Sequence, residues 1–458
     1  MKILFIQSWQ YEYPGVMTLA SFLKKNGVDV NLIIPNSCKD LFRGIDRFNP
    51  KLVAFSCSSP DMPWVRRTVK ALKKHSNLPV VLGGSHPSIY PDVIKEPNID
   101  YICLGEGEYP LLELIKRIEN KKSTKVIKNI WAKSEGKIYK NPLRSLVKNL
   151  DSLPKPDRSI YDKYPGICGS SIGTFMIGRG CPFNCSYCAN SSLKSLYPLR
   201  DFVRYKSPEY VIEEVESLNK IYNFKTIYFH DSVFPYDKKW LDKFLPLYKT
   251  RIGLPFTINA RPETINFEIL CKLKMSGCMG VSLGIETGDE NIRRHVLNKH
   301  ISNMQLIKSA REIRKAGLKL LTYNMLGLPK TKLKDSIKTV KLNSMIRPDY
   351  ILCNFFNPFP GLKINEHILG KEKNKIKTLD YTSEEPLINK RNKVELVKLH
   401  SLFYILTRLN LNSHAIRLIL KTLPLGVCKL FGNYNRKSYM DFHEVESKEV
   451  DFYFKGLG

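Results

Sequence analysis

Short runs of Val, Ile, Leu and Phe, buried on both faces if they are strands, recur along the first 360 or so residues, and nearly every one is followed by a stretch with helical spacing. Such runs do not suit a meander with one wet face. They need a parallel sheet covered by helices on both sides. Up to about residue 120 the strand candidates are "KILFIQ", "VDVNLII", "KLVAFSCS", "PVVLGG" and "YICLG". This series predicts an open, doubly wound, Rossmann-like α/β domain, whose ligands sit at the carboxyl ends of the strands. A hairpin follows in "KVIKNIWAKSEGKIYKN", with Glu135-Gly136 at its turn. The stretch "DSLPKPDRSIYDKYPG" has no periodicity and reads as a linker.

From Thr174 a second series begins: "TFMIGRG", "KTIYFH", "PFTINA", "GVSLGIE", "LKLLTYNML" and "YILCNFF", again separated by helical stretches. Six strand–helix repeats predict a partial (β/α)6 barrel, with its site at the carboxyl ends of the strands. Beyond Gly361 the alternation stops and the pattern becomes mainly helical. The expected organisation is 1–142 for the first domain, 143–170 for the linker, 171–361 for the barrel and 362–458 for a helical carboxyl-terminal region.

The loop after the first barrel strand reads "RGCPFNCSYCAN", with Cys181, Cys185 and Cys188 spaced C-x3-C-x2-C. Three thiolates in one loop can ligate three corners of a four-iron–four-sulfur cube and leave the fourth iron open. Zinc is the alternative on spacing alone, with Cys168 as a fourth sulfur. The chain has 11 cysteines, eight of them scattered. With no secretory signal (the apolar run of "MKILFIQSWQ" is too short), this usage points to a reducing cytoplasm and a metal site.

Placed after the first strand of a partial barrel, this loop resembles that of the radical SAM superfamily. The resemblance implies a [4Fe-4S] cluster on Cys181, Cys185 and Cys188, with S-adenosyl-L-methionine (SAM) chelating the open iron and cleaved after a reducing donor supplies an electron. Tyr187 resembles the aromatic residue common between the last two cysteines. "FHDSVF" lies where the family places residues facing the SAM amino group, which makes Asp231 a candidate contact. "NARPETI" followed by "LKMSGCMGVSLGIETGDENI" is closely similar to the subfamily with an amino-terminal cobalamin-binding domain, and makes Arg261 and Glu286 further candidates for SAM. "MLGLPKT" resembles the turn after the fifth barrel strand.

"VVLGGSHPS" and "IDYICLGEGEYPLLELI" look like the cobalamin-binding domains of the same subfamily. A corrin and its nucleotide tail need close backbone approach, which Gly83, Gly84, Gly105 and Gly107 would allow. Ser56 and Ser58 offer small hydroxyls for the tail. One departure stands out. The D-x-H-x-x-G loop of cobalamin mutases and methyltransferases is replaced by "SWQYEYPGVM", which has no His to bind cobalt from below. His86 lies on a different loop and reads as a positioning or packing residue.

The resemblance implies an enzyme that methylates an unactivated carbon of a lipid or secondary metabolite, with one SAM making the radical and another remethylating cobalamin. Non-methylating cyclisation, coupling or rearrangement is the alternative within the family. A tRNA methylthiotransferase would suit the net charge of +30, but it carries a second three-cysteine cluster, which Cys38, Cys57 and Cys103 do not resemble. Nucleic acid is therefore not the expected partner. The basic excess suits an anionic membrane surface or simply solvated faces. "SLFYILTRLNLNSHAIRLILKTLPLGVCKLFG" reads as a helical cap on the barrel, or as an interfacial helix. The expected location is cytoplasmic, with peripheral attachment to the inner membrane surface as the extension.

Overall fold

The computed structural model describes residues 1–368, 385–387, 392–432 and 442. It divides into two compact units. The first comprises Met1–Gly169 with Ser192–Arg204; the second comprises Ser170–Ser191 and the described chain from Tyr205 onward. The strands in chain order are β1 Lys2–Ile6, β2 Asp29–Ile33, β3 Leu52–Ser56, β4 Val80–Gly83, β5 Tyr101–Cys103, β6 Ile130–Ser134 and β7 Lys137–Tyr139. They continue with β8 Ile172–Phe175, the two-residue β9 Gly178–Arg179 and β10 Arg204–Tyr205, β11 Thr226–Phe229, β12 Phe256–Ala260, β13 Cys278–Glu286, β14 Lys319–Leu326 and β15 Tyr350–Phe355.

The first unit is built on a sheet of order β2-β1-β3-β4-β5-β6-β7. β1 to β5 are parallel; β6 and β7 are the predicted hairpin, added antiparallel at the edge. Alternate residues feed two cores. Ile3, Phe5, Leu52 and Ala54 pack on one face, while Leu4, Ile6, Val53 and Phe55 pack on the other. That split is the period-two signature of a sheet covered on both sides. The strand order reverses between β1 and β3, so the switch point where such sheets bind ligands lies there.

The structure differs from the reading of 143–170 as a linker. This stretch packs on the first unit: Leu153, Ile160, Tyr161 and Ile167 enter its core. The Tyr161 hydroxyl donates to Gln7 Oε1 at 2.6 Å and accepts from the Tyr13 N–H at 3.0 Å. Arg158 pairs with Glu12. Its turns, Leu150–Ser152 and Arg158–Tyr161, are 3-10 helices too short to leave a periodic signature.

The second unit carries a sheet of order β15-β14-β13-β12-β11-β8, parallel throughout. This is the predicted six-stranded partial barrel. One helix on its outside, Leu333–Ile346, shares a core with the helices Lys393–Leu409, Ser413–Thr422 and Leu425–Lys429 and with β14 and β15. Leu326, Cys353 and Phe355 meet Leu399, Phe403 and Ile416 in that core. The expected helical character of 362–458 is seen in this part; residues 369–384, 388–391, 433–441 and 443–458 lie outside the described residues. Among the described residues, no helix is long and apolar enough to cross a membrane.

Candidate active site

The cysteine loop follows β8 at the carboxyl end of the barrel sheet. Cys181 and Cys185 are buried and Cys188 is half-buried. Burial pushes the Cys188 thiol up to about 11, with the neighbouring Cys185 and Cys181 adding to the rise. Three thiolates in mutual repulsion need a cation to hold them deprotonated, and an iron–sulfur cube provides it. Among the described residues, no three His, Cys, Asp or Glu side chains converge as they would on a single metal ion. The corners of a cube each bind a different iron and require no such convergence. Cys168, the extra sulfur of the zinc alternative, points its thiol at Asp162 Oδ1, 3.8 Å away.

The loop is pinned at its middle. Ser186 donates through its N–H to Leu297 O (2.9 Å) and through its hydroxyl to Val296 O (2.6 Å), and its carbonyl accepts from the Ile364 N–H (3.0 Å). Asn298 Nδ2 donates to Asn184 O at 2.8 Å. A cleft of about 260 Å³ opens beside it, lined by Phe183, Asn184, Arg261, Glu263 and His300 among others.

Each side chain proposed to meet SAM has a partner inside the protein. Asp231 is buried, and its two oxygens accept the N–H groups of Ile177 and Gly178, both at 2.8 Å. Burial raises its carboxyl to about 6 even though those N–H groups pull it down. The side chain thereby holds the backbone that leads into Cys181. Glu286 has a left-handed backbone, φ +65°, at a β-bulge between β13 and β14. Bulges of this kind re-aim side chains beside sites. Glu286 Oε1 accepts from the Tyr187 hydroxyl at 2.9 Å and from Lys299 Nζ at 3.0 Å.

Two cations absent from the sequence-based expectations hold this arrangement. Lys299 also donates to Gly284 O at 2.6 Å and is 3% exposed. A Cβ at Gly284 would lie 2.6 Å from Lys299 Nζ, so a larger residue there would displace the ammonium. Arg293, fully buried, donates to the carbonyls of Ile285 (3.2 Å) and Thr287, which flank Glu286, and to that of Ile301 (3.0 Å). No periodicity or motif in "ENIRRHVLNKH" marks these two residues apart from ordinary surface cations.

Arg261 is locked on three sides. Its Nε and Nη2 bind Glu263 at 3.2 and 2.6 Å, its Nη1 lies 3.0 Å from Cys185 Sγ, and its guanidinium sits 3.6 Å over the Phe183 ring.

In the first unit the loops after β1 and β3 meet on one buried carboxylate. Asp61 Oδ1 accepts from the Ser8 hydroxyl (3.1 Å) and the Trp9 indole; Oδ2 accepts from the N–H (2.6 Å) and hydroxyl (2.8 Å) of Ser58. The S-x-x-D spacing of Ser58 and Asp61 is a capping-box signature and was readable in the sequence. Ser58 is thus occupied, while Ser56 ends β3 half-buried. The glycines divide. Gly84 is required by the chain itself: φ is +94°, and a Cβ would lie 2.6 Å from Cys57 O. Gly105 is packed by the Tyr197 hydroxyl, and a Cβ on Gly107 would stand 3.3 Å from Leu19. At Gly83 a Cβ would meet only Phe55 O at 3.9 Å, so nothing in the chain forbids a side chain. That open backbone at the end of β4 is the one position of the four that leaves room for a ligand. His86 is buried with Nδ1 2.9 Å from the Ser59 hydroxyl, and burial holds its imidazole down at about 4.

Two family models match the chain: the B12 binding domain over residues 10–115 and the radical SAM superfamily over 175–342. The chain belongs to the radical SAM enzymes that carry a B12-binding domain ahead of the barrel. Its cofactors are accordingly a [4Fe-4S] cluster, SAM and cobalamin. The three-thiolate loop fits the cluster, and the open backbone at Gly83, paired with Ser56 at the end of β3, fits the close approach of a cobalamin tail. Among similar proteins, an uncharacterized methyltransferase of Pyrococcus horikoshii is 29% identical over 360 residues, covering 76% of each chain. An anaerobic magnesium-protoporphyrin IX monomethyl ester cyclase of Rubrivivax gelatinosus is 26% identical, covering 79% of this chain and 68% of that protein. The fold is shared with the radical SAM methyltransferase TsrM of Kitasatospora setae: TM-score 0.65, 16% identity, covering 79% of this chain and 73% of that one.

Proposed function

We propose that this radical SAM protein methylates an unactivated carbon of a small apolar molecule, such as a lipid or a secondary metabolite. The observation that carries the reading is the loop with three cysteines and no fourth, at the strand ends of a partial barrel, in a chain that also holds a B12-binding domain. When bound, the cluster and SAM supply a 5′-deoxyadenosyl radical for hydrogen abstraction, and cobalamin supplies the methyl group.

The chain's own residues do the holding. Cys181, Cys185 and Cys188 ligate three irons. Asp231 fixes the backbone entering Cys181, and Tyr187, Glu286, Lys299 and Arg293 fix the turn between Cys185 and Cys188. These side chains act by positioning. Ser56 and Gly83 receive the cobalamin tail.

Anaerobic reconstitution with iron and cobalamin counting, followed by analysis of SAM products, tests this. The expected result is 5′-deoxyadenosine together with S-adenosylhomocysteine, both lost in Cys185→Ala. Deoxyadenosine persisting in that variant would remove the cluster assignment. The similarity to a cyclase supports a second reading, and deoxyadenosine without S-adenosylhomocysteine on the true substrate would favour it.

A membrane-borne substrate suits the carboxyl-terminal helices. Leu409, Leu418, Val427 and Leu430 are exposed there, interleaved with the exposed cations Arg408, Arg417, Lys421 and Lys429. This pattern favours peripheral binding to an anionic bilayer. Co-sedimentation with vesicles should rise with the anionic lipid fraction; indifference to it would sink the membrane reading.

A further inference from the structure

We propose that Arg261 tunes the reduction potential of the cluster, through an N–H···S bond from its locked guanidinium to the Cys185 sulfur. This rests on the reading that Cys185 is a cluster ligand. The guanidinium has little freedom. Glu263, two residues on in the turn Pro262–Thr264, grips its Nε and Nη2, and the Phe183 ring covers one face. Nη1 is left 3.0 Å from the sulfur, and the residue is 7% exposed. A planar fork can satisfy a carboxylate, a ring face and a sulfur at once; an ammonium cannot.

Reduction adds one electron to the cube, from a low-potential one-electron donor, with no proton and no bond made or broken. The reduced cube is more negative by one charge. A cation and an N–H donor on a cluster sulfur favour that state and raise the potential, more so where water is excluded. Arg261 therefore makes the electron easier to accept. A contact from Arg261 to SAM alone would leave the SAM-free potential untouched.

The test is a redox titration of the reconstituted full chain, without SAM, following the reduced cluster by electron paramagnetic resonance and counting iron in every sample. Arg261→Met should make reduction at least about tenfold less favourable, which is about 59 mV for one electron. Arg261→Lys should fall between it and the parent. A change under about threefold with the iron count intact overturns the proposal, and so does a shift seen only when SAM is present. If Arg261→Met loses its iron, Arg261→Lys carries the reading. Loss from both, with unchanged far-ultraviolet circular dichroism, overturns it in favour of Arg261 as a brace of the loop. A parent chain that assembles no cluster overturns the cysteine assignment and this inference with it; the iron count separates that outcome from a failure of Arg261 alone.

Discussion

Lys299→Met is the sharpest perturbation of the site that leaves every cysteine in place. The lysine's Nζ is 3.0 Å from Glu286 Oε1 and 2.6 Å from Gly284 O, with side-chain exposures of 3% for Lys299 and 10% for Glu286. Methionine fills the stem's volume but leaves the carboxylate with one neutral donor, the Tyr187 hydroxyl. Breaking a buried pair by removing one partner costs about 3–5 kcal/mol. For a unit of roughly 250 residues, each kcal/mol moves the melting midpoint by about 2–4 °C, so the barrel transition should fall by about 6–20 °C. Glu286→Gln should cost a similar amount, because it strands the ammonium. The double variant removes both charges. It should therefore be less destabilised than the sum of the singles by about 2 kcal/mol or more. Scanning calorimetry of the cofactor-free chain reads all three, with the barrel transition assigned separately from that of the first unit. A Lys299→Met midpoint within about 2 °C of the parent, or strict additivity in the double variant, would refute the view that this pair holds the cysteine turn.

Gly84→Ala and Gly83→Ala should separate chain architecture from ligand space. The first meets Cys57 O at 2.6 Å with φ at +94° and should cost at least about 1–3 kcal/mol, read as a lower melting midpoint of the first unit. The second should stay within about 0.5 kcal/mol of the parent yet retain less cobalamin after gel filtration. Asp231 and His86 should give opposite pH dependences. The Asp231 carboxyl is raised to about 6 in the fold from an ordinary 3.8, so the folded chain holds its proton more tightly. Its contribution is largest below about pH 4 and is lost as pH rises through 6, by about 3 kcal/mol at 1.36 kcal/mol per pH unit. The midpoint of the parent minus that of Asp231→Asn should fall with pH across that window; a rise would contradict the assignment. The His86 imidazole is lowered to about 4 from 6.5, so its contribution is present above pH 6.5 and is lost towards pH 4. The parent minus His86→Gln should therefore fall as the pH is lowered, by about 3 kcal/mol.

Both sheets were legible because their signals are local. Alternation along β1 and β3 sends Leu4 and Phe5, or Val53 and Ala54, to opposite cores, and Glu135-Gly136 takes the positive φ values of a hairpin turn. The cysteine loop was legible for the same reason: its three cysteines lie within eight residues. What stayed hidden joins residues far apart in sequence. Lys299 reaches back 13 positions to Glu286, and Tyr161 reaches 154 to Gln7. No periodicity records such pairs. The strap 143–170 was misread because its anchors are single aromatic and charged side chains on turns, which in sequence look like those of a loop.

Asp231, Glu286 and Arg261, which the family resemblance offers to SAM, already have partners inside the protein. Each stands at the end of a parallel strand, where backbone N–H groups and carbonyls leave the ladder and must find partners. A buried carboxylate there has two ways to be satisfied: a cationic ligand or the protein's own donors. Asp231 takes two backbone N–H groups, and Glu286 takes a lysine and a tyrosine. Each oxygen of Asp231 accepts one backbone N–H, whereas Glu286 Oε1 accepts two donors and Oε2 makes no hydrogen bond among the described residues. The motif positions closest to the cysteines thus act first on the loop that carries them. Substituting Asp231 should accordingly lower iron retention before it changes SAM affinity, because the backbone entering Cys181 loses both of its acceptors at once. Iron content and SAM binding measured on the same Asp231→Ala preparation decide the point: full iron with weakened SAM binding would return Asp231 to the role of a direct contact.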